Sequence, residues 1–173
     1  MYNREGETVA TSVTPLDLHD LGRLGLTYGV AGYYVTNPYD SQRRLVEEII
    51  LHWREGVGAE HSPQRRRALA AAAIVETVEE AYDAVAAAEG RAPYVAATTA
   101  RNVPEAVPAE RLGEAAAGAP VLLLFGTGYG LTEDLLYASD AVLEPIAGQG
   151  DFNHLPVRAA IAIYLDRIFS GRN

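Results

Sequence analysis

Two glycine-rich stretches stand close together in the last third of the chain: Gly126-Thr127-Gly128-Tyr129-Gly130-Leu131-Thr132 and Gly148-Gln149-Gly150-Asp151. Each follows an apolar run and leads toward a helical pattern. Bare backbone in such a place can present N–H and C=O groups to a ligand, because no Cβ holds the main chain away. Phosphate is the first ligand to consider. The first stretch, however, lacks the Lys-Ser/Thr pair of a P-loop and the glycine spacing of the dinucleotide fingerprint. Glu133-Asp134 also put two carboxylates at the start of the following helix, where they suit its dipole and repel phosphate. A triphosphate or dinucleotide is disfavoured; a neutral or zwitterionic ligand with a flat ring fits better. The plainer alternative is that the glycines only make tight turns, and two loops of the same character at predicted strand ends weigh against it.

Such loops need strands to carry them. Residues 121–125 form the clearest buried strand, residues 93–99 another and residues 141–143 a third. Helices are expected over about 77–88, closed by Gly90, then 109–117, 131–138 and 155–169. Upstream, the β-branched run at 7–14 reads as a first strand. Pro15 and Asp17 open a helix to about residue 28, and residues 30–36 form a strand closed by Asn37-Pro38. Ser41 or Asp40 caps a long helix to about residue 55, with Leu45, Ile49 and Trp53 on one stripe and Gly56 and Gly58 as its stop. The alanine-rich run at 68–75 suits helix or strand and is read as a strand. Strands alternating with helices imply a mostly parallel sheet flanked by helices. Ligands of such sheets bind outside the carboxyl ends of the strands, where both glycine loops and the Ala97-Thr98-Thr99 loop fall.

Composition sets the bounds. A length of 173 residues, with 49% hydrophobic and 21% charged residues, suits one domain with a real core over 1–173. No stretch approaches a membrane span, the polar start is unlike a signal peptide, and cysteine is absent, so a cytoplasmic protein is expected. His19, His52, His61 and His154 lack ligand-like spacing, so no metal site is expected. A formal net charge of −9 argues against tight non-specific nucleic-acid binding. Arg43-Arg44 and Arg65-Arg66-Arg67 are local exceptions, either a basic patch or solvated helix faces.

The pattern strand–GTGYGL followed by strand–"EPIAGQGDFNHLPVRAAIAIYLDRI" resembles the carboxyl half of SPOUT-class methyltransferases, and most of all the small bacterial proteins called SAM-dependent RNA methyltransferases. The start "YNREGETVATSVTPLDLHDLGRLGLTYGV" and the helix "QRRLVEEIILHWREG" extend the likeness over essentially the whole chain. The resemblance implies a C-terminal trefoil knot, an exception to the rule against threaded chains, and S-adenosylmethionine as cofactor. It implies three cofactor loops: one at Thr98, one from Leu124 through Gly126 and Gly128, and one from Ile146 through Gly148, Gly150, Asn153 and His154 to Leu155. It also implies a homodimer packed through the knot, with an RNA substrate, tRNA being one candidate. The rival reading is a non-catalytic SPOUT-like dimer that binds S-adenosylmethionine or a nucleotide in a regulatory or RNA-binding role.

Transfer to a hydroxyl or ring nitrogen requires a positioned acceptor and a group to take its proton. Asp17-Leu18-His19-Asp20-Leu21-Gly22-Arg23 holds the most suitable groups. Its spacing resembles the first motif of the ribose 2′-O branch, in which an arginine takes part in the reaction; here that position is Arg23. Asp17 replaces that branch's asparagine, and His19-Asp20 replace small apolar residues. Gly150-Asp151-Phe152 looks more like the guanine-N1 branch, so both acceptor types stay open. Each residue has a plainer role: Asp17 as a cap, His19 as a solvated first-turn residue, Asp20 as a dipole partner, Arg23 in a helix salt bridge. Asn153 and His154 could serve turn geometry before Pro156. Arg158, a cation on the first turn of the last helix, needs an anionic partner, either a substrate phosphate or an acidic side chain. Trp53 and Tyr129 are read as packing residues.

Overall fold

A computed structural model of the chain describes residues 7, 9–150 and 152–170. In chain order its elements are α1 (Pro15–Tyr28), β1 (Tyr33–Thr36), α2 (Asp40–Arg54), α3 (Val57–His61), α4 (Pro63–Leu69), β2 (Ala72–Val75), α5 (Val78–Glu89) and β3 (Tyr94–Thr98). A 3-10 turn (Ala109–Arg111) then runs into α6 (Leu112–Ala115), followed by β4 (Val121–Leu124), α7 (Glu133–Ala138), β5 (Ala141–Leu143) and α8 (Val157–Phe169). Two compact units result, the first over residues 10–81 and the second over residues 82–170 with residues 7 and 9. All strand pairings are parallel, as expected, but they fall into two sheets: β1-β2 in the first unit and β4-β3-β5 in the second.

In the first unit, Thr14 rather than Asp17 is the N-cap of α1. Its Oγ1 accepts from Asp17 N at 3.3 Å, while Thr14 N donates to Asp17 Oδ2 at 3.1 Å, a reciprocal capping box. The strand expected over 7–14 does not form at 9–14, and Thr8 lies outside the described residues. Side chains take the backbone groups that a ladder would use: Asn37 Nδ2 donates to Thr11 O at 2.9 Å and Val13 N donates to Gln42 Oε1 at 2.9 Å. In the run read as a strand at 68–75, Ala68 and Leu69 instead end α4, which Pro63 opens at its first position. The capping residue expected for α2 is also absent: Tyr39 precedes it without a side-chain cap bond, and Gly58 belongs to α3 instead of stopping α2. Leu18, Val46, Ile50, Leu69 and Ala72 make the buried core, so α2 packs through Val46 and Ile50, with Ile49 and Trp53 half-buried beside them and Leu45 exposed. Tyr33 Oη donates to Leu18 O at 2.7 Å, and burial pushes its pKa up.

Helix α1 meets α4 at Gly22. A Cβ there would lie 2.4 Å from Ala68 O and 2.8 Å from Ala68 C, both backbone atoms. Alanine gains about 1 kcal/mol of helix propensity over glycine, but overpacking against backbone typically costs about 1–3 kcal/mol. With no flexible side chain to yield, the clash wins. Gly22→Ala is expected to destabilise the protein by about 2 kcal/mol in urea melts; a stabilised variant would refute this packing.

The second unit centres on β3. β4 pairs along one edge, from Tyr94↔Val121 to Ala97↔Leu124, and β5 along the other, from Ala96↔Ala141 to Thr98↔Leu143. Because the strands are parallel, the segments at 99–107, 125–132 and 144–156 all leave the same end of one sheet. Val107 adds an edge to β5, its N donating to Val142 O at 2.8 Å and its O accepting from Glu144 N at 3.0 Å. Ala96, Ala109, Leu112, Leu143 and Tyr164 are the buried core.

Candidate cofactor and substrate site

The three segments leaving the β4-β3-β5 sheet are tied to one another by named bonds. Thr98, buried at the end of β3, donates from Oγ1 to Leu124 O at 2.9 Å. Arg101 pairs with Glu133 at 3.2 Å, linking the segment after β3 to the start of α7. Asn153 Nδ2 donates to Ala100 O at 3.2 Å, linking the segment after β5 to the segment after β3. Tyr164 on α8 donates from Oη to Glu144 O at 2.8 Å, and burial pushes its pKa up, opposed by the Arg167 cation. The side chain of Ile146, partly buried, packs against the core.

The glycines have different reasons for being glycine. A Cβ on Gly126 would meet Leu131 N at 2.5 Å and Gly130 C at 2.6 Å, so this loop closes on itself and admits no side chain whether or not a ligand is present. Gly128 and Gly130 take φ of 58° and 92°, the left-handed region. At Gly148 a Cβ would touch Phe152 O at 3.3 Å, whereas at Gly150 it would meet nothing within 4 Å. At Gly130, too, a Cβ would meet nothing within 4 Å, but its φ of 92° strains any side chain, so Gly150 is where a side chain enters open space without backbone strain. His154 lies edge-on to Phe152, ring centroids 5.3 Å apart, and Leu155 is exposed. Arg158 is half-buried on the first turn of α8 and engaged with other groups. Asp151 lies outside the described residues. Tyr129, expected to pack, is 62% exposed.

Between the segments after β3 and β5 lies an open cleft of about 370 Å³, lined by Asn102, Val103, Glu105, Ala106, Glu144, Pro145 and Ala147. Its volume lies within the range of roughly 300–1,000 Å³ typical of small-molecule sites. Sequence reasoning missed Glu105 and Glu144, because nothing in their spacing shows that the two segments face one another. Two carboxylates there suit a cationic ligand, and a sulfonium bearing an amino group is one. Among the described residues no cluster of His, Cys, Asp and Glu could hold a metal.

The candidate catalytic residues all lie on α1 of the first unit. The Asp17 carboxylate accepts from Thr14 N and from Thr14 Oγ1, the latter at 2.6 Å, and so serves the helix start. Arg23 is exposed and forms no ion pair among the described residues, which removes the salt bridge offered as its plainer role. His19 is half-buried, edge-on to Trp53 at 5.3 Å. Burial and the Arg65 cation lower its pKa below the ordinary 6.5, with Asp20 opposing. A histidine that is harder to protonate when folded contributes stability that is present above its ordinary pKa and lost as pH falls. The same causes favour its neutral form, the form that can accept a proton.

Comparison with known proteins bears on the family and the fold. Residues 1–170 match the family model described as SAM-dependent RNA methyltransferase. A tRNA (guanine-N(1)-)-methyltransferase from Nitratidesulfovibrio vulgaris is 42% identical over 165 residues, 95% of this chain but 39% of its own length. An uncharacterized protein from Aquifex aeolicus is 36% identical, over 97% of this chain and 83% of its own. In fold, the chain is similar to an AdoMet-bound rRNA methyltransferase from Sinorhizobium meliloti, with a TM-score of 0.56, 20% identity, and coverage of 92% of this chain and 53% of that one. The chain thus spans about two fifths of the first of these relatives. With its family model matched almost end to end and its α/β fold shared with a known methyltransferase, the chain belongs to the SAM-dependent RNA methyltransferase family.

Proposed function

We propose that the chain is an S-adenosylmethionine-dependent methyltransferase acting on RNA, with tRNA as the first substrate to test because the N. vulgaris relative carries that name. The observation that carries the reading is that three strand-end segments leave the same end of one parallel sheet, two of them, after β3 and β5, lining an acidic cleft. Backbone at Leu124, Gly126, Gly128, Ile146 and Leu155 would hold the cofactor, with Thr98, Gly148, Gly150, Asn153 and His154 shaping the loops around it. The cofactor supplies an activated methyl group on its sulfonium. This chain's own groups hold the acceptor, a ribose 2′-oxygen or a base nitrogen, and take its proton. Arg23 is the residue for holding it. With Asp17 committed to the capping box, His19 and Asp20 are left for the proton, and Arg158 for substrate.

The two units work as one SPOUT-like domain, knotted at its C-terminal end, in a cytoplasmic homodimer. What supports the knot is the contact of the last segment with the segment after β3, through the bond of Asn153 to Ala100 and the pairing of Val107 with Leu143. Phe152 at 75% and Tyr137 at 84% exposure are apolar surface that a dimer contact would cover. The acidic charge of −9 favours a second reading, a non-catalytic dimer that binds cofactor without modifying RNA.

Calorimetric titration with S-adenosylmethionine tests the pocket. Gly150→Val projects into open space, so its folding stability is expected to stay within about 0.5 kcal/mol, while cofactor affinity falls about tenfold or more, a loss of about 1.4 kcal/mol. Parent-like affinity would move the pocket elsewhere. Comparing methylated nucleosides in RNA from a deletion strain and its parent separates enzyme from non-catalytic dimer and identifies the modified atom.

A further inference from the structure

We propose that the face of the first unit built from α1 and α4 is a docking surface for the RNA backbone, with Arg65, Arg66 and Arg67 as its phosphate contacts; this rests on the RNA-methyltransferase reading above. The chain is acidic overall, and its other arginine pair is neutralised locally. Arg43 lies 3.3 Å from Glu76, and Arg44 lies 2.9 Å from Asp40. The three arginines of α4 differ. All are exposed, and none forms an ion pair among the described residues.

Their surroundings order them. The guanidinium of the exposed Arg65 lies 4.7 Å over the Trp53 ring, a cation–π contact that uses the face of the group and consumes none of its N–H donors. Trp53 is itself held edge-on by His19 at 5.3 Å and by His52 at 5.0 Å. Arg67 borders a small hollow shared with Gly22, Gly25 and Leu26 of α1. The close approach of α1 and α4 at Gly22 and Ala68 thus sets these cations beside the stretch of α1 that carries Arg23. Asp20 is the acid that opposes this field at His19. A preorganised, unpaired guanidinium matches a phosphodiester, which it can hold with two parallel bonds. A phosphate held there would bring the neighbouring nucleotide to Arg23.

Anisotropy of labelled unfractionated tRNA, measured across a salt series, tests this. Arg65→Ala/Arg66→Ala/Arg67→Ala is expected to bind about tenfold more weakly near 0.1 M salt, and its dependence of log K on log salt to be shallower by about 2. Arg66→Glu, at an exposed position, is a second variant that should weaken binding in the same direction with an unchanged melting curve. Both should bind S-adenosylmethionine as the parent does. Parental tRNA affinity and slope in both variants would overturn the proposal and leave an acidic protein surface as the partner. A parent that binds tRNA through these arginines yet takes up no S-adenosylmethionine would uphold this surface and refute the enzyme reading instead.

Discussion

Arg23→Ala is expected to cut methyl transfer by about 10²–10⁴-fold, the usual range for removing a group that positions or activates a proton-losing acceptor. Affinity for S-adenosylmethionine should hold within about twofold, because the role proposed for Arg23 is toward the acceptor and not toward the cofactor. Stability should change by no more than about 0.5 kcal/mol. The side chain is exposed and forms no ion pair among the described residues, and the bond from Thr27 Oγ1, at 2.8 Å, is made to the backbone oxygen of Arg23. Arg23→Lys separates two roles. If charge alone matters, most of the rate returns; if the acceptor needs the planar fork of the guanidinium, little does. Single-turnover assays on the RNA identified from the deletion strain read these differences, and an unchanged rate in Arg23→Ala would remove the residue from the site.

Much of the second unit was legible because its signals are local. Residues 121–125 form an apolar run bounded by a proline and a glycine, and β4 occupies 121–124 of it. Just before that unit in the chain, Thr77 caps α5 through its Oγ1, which accepts from Glu80 N at 3.2 Å, as its residue type predicts. The misreadings arise where tertiary contacts override propensity. β-branched residues favour strands only when a neighbouring strand accepts them, and around Thr11 and Val13 the side chains of Asn37 and Gln42 bond the backbone instead. Alanine favours helix, and with Pro63 opening α4 the run is helical through Ala68 and Leu69, whereas Ala72–Val75 pair with β1 as β2. The candidate site shows the same division. Glycine loops at strand ends could be seen in sequence, but the pairing of Glu105 with Glu144 across a cleft depends on parallel strands placed side by side. Trp53 was read as packing. It does pack on the core, yet it also carries Arg65, a contact between residues twelve positions apart that no helical periodicity reveals.

The contrast between Gly126 and Gly150 separates loop architecture from ligand contact. Gly126→Ala places a methyl within 2.6 Å of both Leu131 N and Gly130 C, and neither backbone atom can move without opening the turn that Gly130 N makes with Thr127 O at 3.0 Å. Overpacking of this kind costs about 1–3 kcal/mol, and displacing a binding loop by about 1 Å can lower the efficiency of a site by about 100-fold. Gly126→Ala is therefore expected to lose S-adenosylmethionine affinity on that scale together with thermal stability, whereas Gly150→Val loses affinity alone. Gly128→Val cannot make this distinction: with φ of 58°, any side chain there is strained by about 1–2 kcal/mol before a ligand arrives. If Gly126→Ala melts early but binds S-adenosylmethionine as tightly as the parent, the 125–132 segment supports the sheet without gripping the cofactor. The binding surface would then rest on the segments after β3 and β5, around Glu105 and Glu144.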